Sequence, residues 1–404
     1  MKILYLHQYF NTPEKGGGIR SYAFSRRFVE KGYKVIMLTK QLKNSSPFKK
    51  GVRYTKIDDI DVYEVPVVYY SDMSFKKRMK SFLLFAWKAI KEGRKLEKPD
   101  IIFATSTPLT IGIPALYLSW YFKVPFVFEV RDLWPEAPIQ MGAIRNKFVI
   151  FLLRKFEKKI YKKAAHIVAL SPGMKEGIRK TGVSEEKISM IPNSSDLDIF
   201  HPDIPHDEIY EKNSIPRKNI ISYAGKINEA NGVNIIIEVA KHLQEREDIL
   251  LVLAGEGRYK EEIQENAERL GLKNLKFLGP IPKDGVAQLY GLSKGCLVLF
   301  KNIPILKTNS PNKFFDALAA GRPVITNMGG WVGDLIEKYG IGFSIDNNKE
   351  NQESVEIAKA IEALVDNPDK TKKMGHNARE LAEQEFDRDK LFAQLEKVIS
   401  GTVR

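Results

Sequence analysis

The sequence predicts an α/β protein built from two doubly wound parallel-sheet domains, and three observations carry that expectation. Short apolar runs alternate with helix-period segments along the whole chain, a pattern that calls for parallel strands covered by crossover helices. Strand–helix units with glycines at their first turn begin twice, near Met1 and again near Ile220. At 404 residues, two such domains are expected rather than one.

The first unit opens with MKILYLHQYF, a strand that breaks at Asn11-Thr12-Pro13. Gly16, Gly17 and Gly18 follow, then an amphipathic helix ended by Gly32 and a second strand from Lys34 to Thr39. Glycines at this turn let backbone approach a phosphate. The three are contiguous, so the dinucleotide fingerprint GxGxxG is not met, and no P-loop pattern occurs. Leu109 to Phe122, interrupted by Pro114, is expected to be a buried crossover helix. The second unit reads IISYAGKINEANG, with Gly225-Lys226 after a strand and Gly232 before an apolar-periodic helix. ILLVLAGEG is a buried strand running into Gly255-Glu256-Gly257, with a helix from Arg258 to Leu270 beyond it. NLKFLGPIP and GCLVLF supply two more strands.

Thr308 to Ile325, TNSPNKFFDALAAGRPVI, is the most informative segment. Asn309 and Ser310 suit N-caps and Pro311 the first helical position. A helix beginning here presents free backbone N–H groups and a positive dipole end, which favour an anion. Lys313 falls in that first turn, where a cation opposes the dipole. A bound phosphate would resolve the conflict. Asp316 lies one turn on from Asn312 and Lys313 and is able to accept hydrogen bonds from sugar hydroxyls.

Composition narrows the classes. Hydrophobic residues make up 43% of the chain, ample for two cores, and no apolar run reaches the length of a bilayer span. Met1 leads straight into a strand, so no signal peptide is expected. The single cysteine, Cys296, excludes an internal disulfide and suits a reducing compartment. Six histidines lack ligand spacing, so no structural metal is expected. Net charge is +14, concentrated in two basic–aromatic stretches, Phe75 to Lys95 and Arg145 to Lys163. The second holds eight basic residues and one acid, Glu157. Both read as amphipathic helices suited to an anionic membrane surface; each would otherwise bury its apolar face in the domain. No helix-turn-helix, zinc or RNA-recognition signature accompanies the charge, which argues against nucleic acid.

Taken in order, the glycine loop, FEVRDLWPE (Phe128 to Glu136), ALSPGM, IPNSSD, SYAGKINEANG, AGEG and SPNKFFDALAAGRPVI resemble the family 4 glycosyltransferases. Among these the chain is most similar to the bacterial branch making capsule and O-antigen polysaccharides. The resemblance implies the GT-B architecture, two Rossmann-like domains facing a cleft. An N-terminal acceptor domain would span 1–195, a linker 196–218 and a donor domain 219–386, with a final helix in 387–404 crossing back. It also implies departures. The family's paired acids fall here on Thr308 and Asp316, and its second loop cation on Asn231, while Lys226 keeps the first. Lys313 is therefore expected to replace the missing cation and grip the donor diphosphate with Lys226. Arg131-Asp132 stands where many relatives carry His-Asp, so no catalytic histidine carries over.

The expected reaction is metal-free, retaining transfer of a hexosyl group from a UDP-sugar to a lipid-linked (polyprenyl-diphosphate) saccharide. The sugar would be an N-acetylated hexosamine or a deoxyhexosamine. No cofactor is expected, and the site would be the cytoplasmic face of the cell membrane. Lys226, Lys313, Arg131 and Asp132 are the catalytic candidates. Gly16, Gly17, Gly18, Gly225, Asn231, Glu256, Ile281, Asn309, Ser310, Asn312 and Asp316 are assigned to the donor, and Glu129 and Glu136 to the acceptor. A nucleotide-sugar epimerase of the same architecture, or a non-catalytic saccharide- or lipid-binding protein, is the alternative.

Overall fold

The computed structural model describes residues 1–15, 17–42, 46, 48–69, 73–345 and 352–403. It divides into two units, Met1–Pro192 with Leu391–Arg404, and Asn193–Lys390.

The first unit carries β1 (Lys2–Leu6), β2 (Lys34–Lys40), β3 (Arg53–Ile57), β4 (Ile60–Val65), β5 (Ile101–Thr105), β6 (Phe126–Val130), β7 (His166–Ala169) and β8 (Ile188–Met190). Their order is β3-β4-β2-β1-β5-β6-β7-β8, parallel except for the β3–β4 hairpin. Ile3 stands opposite Val35 on one side and Ile101 on the other. With helices on both faces, β1, β5 and β6 are buried almost throughout, which is why they read as unbroken apolar runs. Winding reverses between β1 and β5. In open parallel sheets that reversal leaves a crevice beyond the carboxyl ends of the two strands.

The last helix, Arg388–Val403, buries Leu391, Phe392, Leu395 and Ile399, the stripe visible in the sequence. Phe392 sits 4.9 Å from the Phe28 ring and 6.1 Å from that of Phe24. The crossover helix Gly112–Phe122 departs from expectation at its far end. Trp120 is 72% exposed and Tyr121 46%, because the buried positions Pro114, Ala115, Leu118 and Phe122 form one stripe along the helix that leaves these two outside it.

The second unit orders β9 (Asn219–Ala224), β10 (Ile249–Ala254), β11 (Leu275–Gly279), β12 (Ser293–Val298), β13 (Val324–Thr326) and β14 (Gly342–Ser344) as β11-β10-β9-β12-β13-β14. Every pair is parallel, and the winding reverses between β9 and β12. The expected linker 196–218 is not a free tether but part of this unit. It holds the helix Asp207–Lys212 and buries Phe200, Ile209 and Ile215. The unit's first residues are tied to its last: Arg388 donates to the Ser194 carbonyl at 2.6 Å and to Asp196 Oδ2 at 2.7 Å. Buried apolar side chains, which composition alone does not place, draw the proline-rich segment onto the sheet.

Candidate active site

In the second unit the glycine turns at the strand ends stack backbone on backbone. Gly225 N–H donates to the Ala254 carbonyl at 2.9 Å and Ile227 N–H to that of Glu256 at 3.0 Å. A Cβ at Gly255 would lie 1.8 Å from the Gly225 oxygen, and one at Gly257 2.0 Å from that of Ile227. Glycine is required at these positions because two segments of backbone touch there. Glu256 itself is exposed and paired with Lys260 at 2.8 Å, and Ile281 is half-buried beside Gly285.

Beyond the carboxyl ends of β9 and β12, Lys313 meets one other sequence-predicted residue, Asn231, and three that were not predicted. Its ammonium reaches Asn231 Oδ1 at 3.1 Å, the Leu299 carbonyl at 3.2 Å and the Tyr223 hydroxyl at 3.3 Å. The rings of Tyr223 and Phe300 face it at 4.5 and 4.7 Å. All of these partners are neutral. Burial lowers the Lys313 ammonium from its ordinary range to about 7. Tyr223 is a residue the sequence did not single out. Burial holds its phenol well above its ordinary value, so it keeps its proton and donates to the Lys226 carbonyl at 2.7 Å. It thereby joins both lysines. The Lys226 side chain is exposed. A tyrosine two residues before a strand-end glycine was the available signal.

The helix carrying Lys313 runs from Asn312 to Ala319, with Pro311 as N-cap and no side-chain cap. This corrects the expected start. Ser310 is engaged elsewhere: its Oγ accepts from Asn193 N–H at 3.1 Å and its carbonyl from Asn193 Nδ2 at 2.5 Å. Asn309 offers its carbonyl to Trp331 Nε1 at 2.7 Å. Neither is a cap, since the chain enters the helix already tied to residue 193. The amides of Asn312 and Lys313 remain in the first turn, where no preceding helical carbonyl serves them. Asp316 turns to other partners, Ser195 Oγ at 2.7 Å and Lys283 Nζ at 3.3 Å.

In the first unit, Arg131 and Asp132 follow β6. Arg131 N–H donates to Ser106 Oγ at 3.1 Å and its guanidinium lies 3.5 Å from His7 Nε2. Asp132 accepts from the Thr107 hydroxyl. His7, unremarked in the sequence, is buried with Nδ1 at 2.8 Å from Ser21 Oγ. Burial first, then Arg131 and Lys40, keeps its imidazole well below the usual range and hence neutral. Gly17 and Gly18 precede the helix Arg20–Glu30; Gly16 lies outside the described residues.

The acceptor role expected of Glu129 is overturned. Glu129 is fully buried, bonded to Arg20 Nε at 2.8 Å and Thr105 Oγ1 at 3.1 Å. Arg20 in turn donates to the carbonyls of Pro192 and Ile191. A carboxylate on the last turn of a central strand must find a buried partner, and it has one. Glu136 is partly exposed and paired with Arg154 at 2.7 Å. Among the described residues no three of His, Cys, Asp or Glu gather as metal ligands.

Two family models match the chain: Glycosyltransferase Family 4 over residues 15–199 and Glycosyl transferases group 1 over 206–381. The chain belongs to the family 4 glycosyltransferases of GT-B architecture. It is 25% identical over 315 residues to WcaI of Escherichia coli K12, assigned to colanic acid biosynthesis as a glycosyl transferase, covering 75% of this chain and 74% of that one. Among solved structures, sucrose-phosphate synthase of Thermosynechococcus elongatus superimposes with a TM-score of 0.75 at 16% identity, covering 99% and 98% of the two chains. HepE of Anabaena in complex with UDP-glucose does so with a TM-score of 0.72 at 18% identity, covering 99% and 100%.

Proposed function

We propose that this glycosyltransferase moves a hexosyl group from a UDP-sugar to a lipid-linked saccharide, with retention and without a metal ion, in cell-surface polysaccharide synthesis. One observation carries the reading. A lysine ammonium is held at the carboxyl ends of β9 and β12 by neutral acceptors, and among the described residues no carboxylate pairs with it. A donor diphosphate supplies that charge, exchanging at least one of the three protein acceptors for a phosphate oxygen. Lys226 and the amides of Asn312 and Lys313 add donors to the same leaving group. Pre-oriented donors of this kind stabilise developing charge without reorganisation. Arg131 and Asp132 serve phosphate and acceptor hydroxyls respectively. An N-acetylated hexosamine or deoxyhexosamine is the sugar we favour, and the similarity to WcaI, named for colanic acid biosynthesis, supports the role in polysaccharide synthesis.

The membrane face is part of the same reading. No helix among the described residues is long and apolar enough to cross a bilayer. On the helix Lys147–Lys163, however, Phe148, Val149, Phe151 and Leu152 are exposed beside Lys155, while its one acid, Glu157, is buried and raised to about 7 by that burial. On Phe75–Gly93, Leu83, Leu84 and Trp87 are likewise exposed. An anionic bilayer matches both the charge and the apolar strip. The test is a transfer assay with UDP-sugars and a polyprenyl-diphosphate saccharide, with and without EDTA. Product formed in EDTA is expected. Strict dependence on Mn²⁺ or Mg²⁺ rejects the metal-free step, and epimer formed without acceptor favours the epimerase.

A further inference from the structure

Two half-buried guanidiniums in the first unit, those of Arg78 and Arg131, have no carboxylate partner among the described residues. Arg131 lies 3.5 Å from His7 Nε2. A guanidinium only donates, so Nε2 accepts, and the proton of this neutral imidazole sits on Nδ1 towards Ser21. His7 thus steadies Arg131 without balancing its charge. Arg78 stands in the first turn of the helix Phe75–Gly93. Its Nε is buried, and no described residue accepts from it, a costly arrangement that a bound acceptor would relieve.

Both border one cluster of rings. Phe82 lies one turn beyond Arg78 on the same helix face, with its ring 5.7 Å from that of Tyr69 and 6.5 Å from that of Trp134. Tyr69 in turn lies 4.9 Å from Tyr9. Trp134 shares the segment after β6 with Arg131, and Tyr9 the segment after β1 with His7. Arg78 and Asp132 both act on the Tyr9 phenol, which burial holds well above its ordinary range. Asp132 is already engaged by the Thr107 hydroxyl. Two guanidiniums beside one engaged carboxylate and half-buried rings suit a phosphate carried on a larger organic group.

We infer that Arg78 and Arg131 form an anion subsite for the phosphate of the acceptor, so that the enzyme selects a diphosphate-linked acceptor over a neutral glycoside. The inference rests on the acceptor reading above and adds Arg78 to it. The helix carrying Arg78 also exposes Leu83, Leu84 and Trp87. Docking through that helix sets the subsite near the plane where a lipid-borne phosphate lies.

Calorimetric titration of the full chain with geranyl diphosphate, a probe free of the acceptor sugar, tests it. Saturating UDP fills the donor diphosphate site first. The wild type is expected to bind the probe, and Arg78→Gln and Arg131→Gln should each weaken it by about tenfold to a hundredfold, as loss of a charge-assisted hydrogen bond does. Arg78→Lys, which keeps the charge, should restore most of the affinity. The UDP affinity of each variant, measured alongside, reports its folding. Inorganic pyrophosphate bound as tightly as geranyl diphosphate would assign the site to free phosphate and overturn the acceptor role. No binding to the UDP-saturated protein, or an affinity untouched by Arg78→Gln, overturns the inference and leaves sugar transfer standing. Failure of the wild type to bind UDP rejects the donor reading instead, and the same titration without UDP still decides this one.

Discussion

Lys313 Nζ lies 3.1 Å from Asn231 Oδ1, so the helix Asn312–Ala319 brings its ammonium to the loop position where the resemblance led us to expect a cation. An asparagine at 231 then becomes useful as an acceptor for the new ammonium.

Lys226→Ala and Lys313→Ala are each expected to lower turnover by about a hundredfold or more with the fold intact, as for loss of one pre-oriented donor. If both grip one diphosphate, the double variant should lose far less than the product of the two. Steady-state kinetics with circular dichroism check this. Near-normal turnover of Lys313→Ala would show that Asn231 has no substitute.

Donor affinity should fall as pH rises through about 7. The free protein's Lys313 is held near that value by burial, and an anion binds its charged form. Below this pH the proton is already present; above it, each binding event must take up a proton, approaching one by pH 8 to 9. Stability has the opposite trend. The folded group is depressed below its ordinary 10.5, so unfolding takes up a proton between about 7 and 10.5, and this group's contribution rises with pH across that window. Titrating UDP in two buffers of different ionisation enthalpy measures the uptake. Lys313→Met should abolish it, and an uptake unchanged in that variant would assign the proton elsewhere.

Glu129→Ala should destabilise the protein by about 3–5 kcal/mol, because it strands the buried Arg20 guanidinium. Urea unfolding reads this directly. A stability close to wild type, with acceptor KM raised instead, would return Glu129 to the acceptor site.

Reversing Lys155, Lys158, Lys159 and Lys162 to glutamate should release the protein from anionic liposomes and leave UDP binding unchanged. Each lysine near such a surface contributes up to about 1 kcal/mol, screened by salt. Phe148→Ser with Phe151→Ser should weaken the binding that survives high salt. Co-sedimentation with anionic and zwitterionic vesicles measures both. Wild-type protein that ignores anionic vesicles at low salt would remove membrane docking and leave the glycosyltransferase assignment standing.

The strand–helix alternation, the two glycine-turn units and the stripe Leu391, Phe392, Leu395 and Ile399 were legible in the sequence, because each is a local period or turn requirement. Lys226, Asn231 and Lys313 were legible as a set only through the order of motifs. Distance along the chain does not say that 231 and 313 meet; the winding reversal between β9 and β12 does. The same limit hid Tyr223, His7 and Lys283, whose neighbours lie on other strands and helices. Glu129 was misread for a related reason. A carboxylate at a strand end looks identical in sequence whether it faces solvent or a buried arginine on another helix. Periodicity and turn chemistry thus determined the fold class and where each element begins. Burial and long-range pairing, which depend on three-dimensional contact, decided which charges are paired within the protein and which await a ligand.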